Sequence, residues 1–197
     1  MGFSTILDII GSIIMGGFLL LLLWKIDDSA TQNVINNSQE VIMQQNLTTV
    51  ATILENDFRR LAYCAKYDTT IAQPITQADS NSITFLADID GDSTMNSISY
   101  YLGDTTELAS TPNPRDRLLY RVADGVVKQE ANLGVTKFKL IYFDVIGDTM
   151  DLPIADLALI KSVEISLTIE DSYAYNEQYS EAFWRQIRVA SNSLHTR

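Results

Sequence analysis

The chain has 197 residues, 46 % of them hydrophobic, and a formal net charge of −11 from 25 acids against 14 bases. Nucleic-acid binding needs concentrated Lys/Arg to displace counterions, and attraction to anionic lipid needs a polybasic run beside an apolar segment; the sequence offers neither. The hydrophobic fraction fits a folded domain rather than disorder, and the one cysteine, Cys64, allows no intramolecular disulfide, so the fold rests on its own core.

The first 24 residues, MGFSTILDIIGSIIMGGFLLLLLW, form one apolar stretch with a single acid, Asp8. About 20 apolar residues cross a bilayer as a helix. An isolated ionised Asp near its centre costs roughly 2.5–3.5 kcal/mol on insertion scales, so it is expected to face a protein partner or a water-filled path rather than lipid, the alternative being a shallow Asp8 solvated near the interface. Gly11, Gly16 and Gly17 lower helix propensity, and Ser12 with Gly16 makes a small-xxx-small pair that lets backbones approach closely. Glycine is also common in membrane helices for no such reason. The stretch lacks a basic n-region and a small-residue cleavage site, so it is expected to stay as an anchor.

Helical character continues past Trp24. No Gly or Pro occurs from Ser29 to Cys64, and apolar residues recur at Val34, Val41, Leu47, Val50, Leu54, Phe58 and Leu61, close to a 3.6-residue period. Glu55 and Arg59 stand at i and i+4, which supports a helix. The two halves together predict a helix of about 60 residues, roughly 90 Å long. Its first half is apolar all round and its second is amphipathic. After Cys64 comes a polar connection, AKYDTTIAQPITQADSN, and then short alternating runs. Ile83–Leu86 and Ile98–Leu102 flank the turn signal Asp88-Ile89-Asp90-Gly91-Asp92, and Leu118–Val122 turns at Asp124-Gly125 into Val126-Val127. Phe138, Leu140 and Tyr142 alternate on one face. Val163, Ile165, Leu167 and Ile169 alternate with Glu164, Ser166, Thr168 and Glu170, which predicts a half-buried strand. Phe183 to Val189 reads as a closing strand. The order gives an α+β fold: one long helix, then an antiparallel meander of about six strands whose one face the amphipathic half-helix covers. The divisions are 1–28, membrane or core helix; 29–65, its amphipathic continuation; and 66–197, the β domain.

This architecture resembles the type IV pilin-like superfamily. Gly2-Phe3-Ser4-Thr5-Ile6-Leu7-Asp8 is similar to the Gly-Phe-Thr-Leu-Ile-Glu start of such proteins. The segment from Ile53 to Tyr63 resembles the Asp-hydrophobic-Arg-x-x-Gly-Tyr signature of minor pilins of the W type and pseudopilins of the J type. Leu119-Tyr120-Arg121, Asp124-Gly125, Asn132-Leu133-Gly134-Val135 and Tyr142 follow in the order of the same subgroup. Two features depart from the family pattern: Met1-Gly2 alone stands before Phe3, without a basic leader, and the acid is sixth from Phe3 where the family has a Glu fifth. The resemblance implies a subunit that polymerises through its apolar helix, with Phe3, Asp8, Gly11, Ser12, Gly16 and Gly17 in the assembly contact. It implies co-polymerisation with copies of itself or with other pilin-like subunits, an assembly platform in the bacterial inner membrane, and then a periplasmic or cell-surface filament.

Other residues carry weaker signals. Asp88, Asp90 and Asp92 place hard oxygens close together, as Ca²⁺ requires, but a downstream acid is missing and a plain Asp/Gly turn is the preferred reading. Glu55, Asp57, Arg59 and Arg60 form either a partner-facing charge cluster or a solvated helical face. Tyr173, Tyr175 and Tyr179, in DSYAYNEQYSEA, suit a contact surface or a loop packed on its own domain. His195 is the one histidine, and phosphate-loop, H-E-x-x-H and G-x-S-x-G motifs are missing, so no enzyme and no cofactor are expected. The alternative to a filament subunit is a single-pass anchored periplasmic binding or scaffold domain that does not polymerise.

Overall fold

A computed structural model describes residues 2–61, 73–131, 133–171 and 179–189; of residues 3–5, 127–131 and 186–189 it describes the backbone alone. Two compact units are distinguished, Met1–Val41 and Ile42–Arg197. The fold is α+β. Helix α1 runs over Gly2–Arg59, 58 residues, and the strands are β1 (Ile75–Ala78), β2 (Ser82–Ala87), β3 (Asn96–Leu102), β4 (Leu119–Ala123), β5 (Val126–Ala131), β6 (Val135–Phe143), β7 (Ser162–Glu170) and β8 (Glu181–Val189). The predicted helix reached Cys64. The described helix ends at Arg59, with Arg60 and Leu61 in a turn closed by bonds from their amides to the carbonyls of Asp57 and Phe58.

In the first unit the apolar residues from Ile6 to Ile26 are exposed. Within α1 an 18-residue window reaches a mean hydropathy of 2.5 with none of it buried, so the helix is long and apolar enough to cross a membrane. Val34 and Val41 were expected on the buried stripe. Both are exposed, and the stripe starts at Met43. The division between the units falls inside the segment read as one amphipathic stretch, 29–65, and the buried stripe belongs to the second unit.

In the second unit Met43, Leu47, Val50, Leu54 and Phe58 line one face of α1 at spacings of three and four, and Leu61 in the turn after it continues the stripe. That face shares a single core with the inward residues of both sheets, among them Ile83, Phe85, Ile98 and Tyr100 of β2 and β3 and Phe138, Leu140, Ile165 and Leu167 of β6 and β7. Phe58 anchors the contact, its ring centroid 5.0 Å from that of Phe85 and 5.9 Å from that of Tyr100.

The strands form two antiparallel sheets, β1-β2-β3-β4-β5 and β6-β7-β8, where one meander was expected. Strand β1 lay unseen in the polar connection: ITQA is short and follows Pro74, yet it pairs with β2. The β4–β5 hairpin turns at Asp124-Gly125 with both φ positive, 51° and 74°, the type I′ geometry that matches strand twist. The chain passes to the second sheet through Gly134. Its φ is +75°, and a Cβ there would lie 2.6 Å from the Glu170 carbonyl oxygen, so glycine is required.

Strand β7 departs from the half-buried expectation, because both its faces are covered. Val163, Ile165, Leu167 and Ile169 enter the core, while Glu164 and Glu170 are 3 % and 4 % exposed on the polar face. Two arginines explain it. Arg185 Nε donates to Glu164 Oε1 at 2.8 Å, and Arg115 Nη2 lies 2.8 Å from Glu170 Oε2. Asn113, fully buried, donates from Nδ2 to the same Glu170 oxygen at 3.1 Å.

Candidate functional site

The assembly residues expected from sequence all fall on α1. Asp8 is exposed among Ile6, Leu7, Ile9 and Ile10, and no described residue makes an ion pair with it. The Ser12 hydroxyl donates to the Asp8 carbonyl at 2.6 Å, so the serine satisfies itself on its own helix, and its small side chain leaves the surface low. A Cβ at Gly11, Gly16 or Gly17 would meet nothing within 4 Å, so packing inside this chain does not require glycine there. Phe3 is helical, and its side chain lies outside the described atoms.

The four charges near the end of α1 separate. Glu55 and Arg59 form an exposed i,i+4 ion pair. Arg60 Nη1 donates to the Ile89 carbonyl, tying the helix end to the turn after β2. Asp57 points the other way. It is 7 % exposed and sits against β3 and β4, so it does not belong to an outward cluster. Tyr100 Oη donates to Asp57 Oδ2 at 2.5 Å, and Arg121 Nε donates to the same oxygen at 2.6 Å and to Tyr100 Oη at 3.1 Å. Burial, then the Asp57 charge, pushes the Tyr100 phenol far above its usual pKa, so it remains a donor. The hydrogen bond it donates to Asp57 raises the Arg121 guanidinium further. A cavity of about 30 Å³ lined by Leu54, Leu119, Leu133 and Arg121 lies beside the triad, with space for about one water.

This triad was missed from sequence, although a signal existed. Asp57 falls inside the stripe Leu54–Phe58–Leu61, and Arg121 falls between Leu119 and Ala123 on the inward face of β4. A charge at a core position requires a partner, and each of these is the other's partner.

Asp88, Asp90 and Asp92 do converge, with one carboxylate oxygen from each within 4.8 Å of the others. Their geometry is that of a turn. Asp88 accepts from the amides of Gly91 at 2.7 Å and Ser93 at 3.1 Å, Asp90 from that of Asp92, and Asp92 from that of Thr94 at 2.7 Å. Asn96 Oδ1, close by in sequence, accepts from the Ile89 amide at 3.3 Å. The donor set suits a hard cation, but backbone amides already use an oxygen of each carboxylate.

Tyr179 packs on its own domain: its hydroxyl donates to the Pro112 carbonyl at 3.3 Å, and the Arg115 guanidinium stands 4.8 Å over its ring. Tyr173, Tyr175, Cys64 and His195 lie outside the described residues. Comparison with known protein families, with characterised proteins and with solved structures finds no match for this chain.

Proposed function

We propose that the protein is a structural subunit that polymerises through the apolar part of α1 into a type IV pilus-like filament or a secretion pseudopilus. The reading rests on one observation. The apolar segment of the first unit presents its side chains unburied around a single acid, Asp8, while the later turns of the same helix are built into a β domain. An anchor needs the hydropathy but has no use for the acid. A helix bundle of identical subunits has use for both, since a buried carboxylate must meet a cation and thereby sets register between neighbours. Gly11, Gly16 and Gly17 would let neighbouring backbones approach closely. Filament packing exchanges lipid contacts for Leu and Ile contacts of similar polarity, so the transfer out of the membrane is nearly balanced. The role is structural rather than catalytic, and the work of extraction falls to a separate motor.

Electron microscopy of the sheared surface fraction, labelled with antibody against the β domain, tests the reading. Label along filaments makes the chain a principal subunit, and label at tips makes it a minor or initiating one. If all protein stays in the detergent-soluble membrane and no cross-links form between apolar segments, it is an anchored domain and the proposal fails.

A further inference from the structure

The three-stranded sheet carries two dissimilar surfaces at opposite ends. At one end, β6 leads into a tight reversal. Phe143 pairs with Thr149, the Asp144 amide donates to the Asp148 carbonyl at 3.0 Å, and the Met150 amide donates back to the Tyr142 carbonyl at 2.9 Å. Asp144 Oδ1 accepts from the amides of Ile146, Gly147 and Asp148 at 2.8 to 2.9 Å, which fixes the loop. The tip holds two β-branched aliphatic side chains in the open: Val145 is 78 % exposed and Ile146 82 %. Both are stiff at χ1 and lose little rotamer freedom on docking. Four aspartates, Asp144, Asp148, Asp151 and Asp156, and no lysine or arginine occupy positions 144–160. The backbone amides hold the Asp144 carboxyl below its usual range, so it is charged at any ordinary pH. An acidic collar repels an anionic lipid surface and suits a basic protein rim.

The other end supplies such a rim. Lys137, Thr168 and Phe183 share one rung of the sheet, and Lys139, Ser166 and Arg185 share another rung of the same face. Phe183 is 59 % exposed there. Neither lysine makes an ion pair among the described residues, Arg185 is held by Glu164 and Glu170 by Arg115, and exposed Glu181 stands on the next rung, so this face sums to +1 in a chain of −11. Lys137 and Phe143 are six residues apart on β6, about 20 Å at ~3.4 Å per residue, and the tip lies beyond Phe143. The tip of one copy therefore does not reach the basic end of the same copy.

We infer that Val145 and Ile146 of one copy dock on Phe183 of the next, with Asp148 and Asp151 facing Lys137 and Lys139. Tip to base is a heterologous contact, and such contacts propagate into rings or helical filaments instead of closing as a dimer. The patch is small, so the contact is weak alone and gains from the array. To that extent it rests on the proposed polymerisation through α1, and it adds a site between β domains.

The test uses the full-length protein in membranes, with Cys64→Ser as background. Ile146→Cys with Phe183→Cys is expected to give, on mild oxidation, a disulfide-linked ladder that neither single-cysteine variant gives. Lys137→Asp with Lys139→Asp abolishes the ladder, and adding Asp148→Lys with Asp151→Lys restores it. A parallel variant, Leu20→Cys, reports helix–helix contact independently. Leu20 cross-links without a tip-to-base ladder overturn this contact and leave the filament reading standing. Cross-links at neither place overturn both. A dimer that does not extend, or a ladder indifferent to charge reversal, overturns the docking as stated.

Discussion

Arg121 and Asp57 meet at 2.6 Å with side chains 15 % and 10 % exposed, so little water shares their charges. Removing one partner leaves the other charged and largely desolvated, which costs about 3–5 kcal/mol. Asp57→Ala is therefore expected to lower the stability of the detergent-solubilised protein by that amount in a urea titration, and Tyr100→Phe by about 1–3 kcal/mol, since it removes a single donor. Glu55→Ala, two residues away on the exposed face, is expected to change stability by less than ~0.5 kcal/mol. Equal effects at 55 and 57 would contradict the inward placement of Asp57. Asp116 presents the opposite problem. It is buried at 1 % exposure, and its Oδ1 has no hydrogen-bond partner among the described residues. Burial raises its pKa, and the nearby Glu170 charge adds to the rise against a bond from Thr111. The folded state thus binds this proton more tightly than the unfolded chain. The resulting stability is fully present below the unfolded value of 3.8 and is lost as pH rises through the raised folded value. Asp116→Asn is expected to stabilise the protein at pH 7 and to show no gain near pH 3, as read from melting temperatures across that range. At this scale the sequence was hardest to read. Asp57 looks like its neighbours Glu55 and Arg59 until its place on the apolar stripe is compared with the place of Arg121 on β4, 64 residues on.

The helix and the long strands were legible because their periods extend over many residues. Val163 to Ile169 alternates without a break, and Leu47 to Leu61 keeps the helical spacing. Sequence could not say where tertiary cover stops. Val41 and Leu47 are both apolar positions of the same helix, yet Val41, at the end of the first unit, is exposed and Leu47 belongs to the core of the second. Nor could it divide the strands between sheets, since Gly134 acts through a carbonyl 36 residues away. Leu54→Ala is expected to cost 2–5 kcal/mol as a core cavity, on the order of Leu/Ile truncations in well-packed sites. Val41→Ala, one face earlier, is expected to leave thermal unfolding of the β domain unchanged. The β2–β3 turn tests a different expectation. The amides of Gly91, Ser93, Asp92 and Thr94 already use oxygens of the three aspartates, so the loop is closed without an ion. Millimolar Ca²⁺ or a chelator should shift the melting temperature of the intact protein by no more than the scatter of repeated scans. Asp88→Ala should lower it equally in both, because two amides lose their acceptor. A rise with Ca²⁺ that Asp88→Ala abolishes would make the loop a cation site.

For the whole molecule, the two readings of the first unit make opposite demands on Asp8. A membrane anchor is improved by losing it: removing a charge from the apolar helix relieves roughly 2.5–3.5 kcal/mol of insertion cost. A filament subunit is damaged, because an acid that meets a cation of its neighbour in a water-poor bundle leaves that cation unpaired when removed, at about 3–5 kcal/mol per contact. That is on the order of a hundredfold or more in the assembly constant. Asp8→Ala is therefore expected to remain in the membrane at or above the wild-type level while disappearing from the sheared fraction. Asp8→Glu, which keeps the charge one methylene further out, is expected to recover part of the assembly. The two fractions are compared by immunoblot on the same cells, so a loss of expression lowers both and is not mistaken for a loss of assembly. Wild-type amounts of Asp8→Ala in the sheared fraction would remove the acid from the assembly contact. The apolar helix would then have to find its register through Gly11, Gly16 and Gly17 and through the β domains alone.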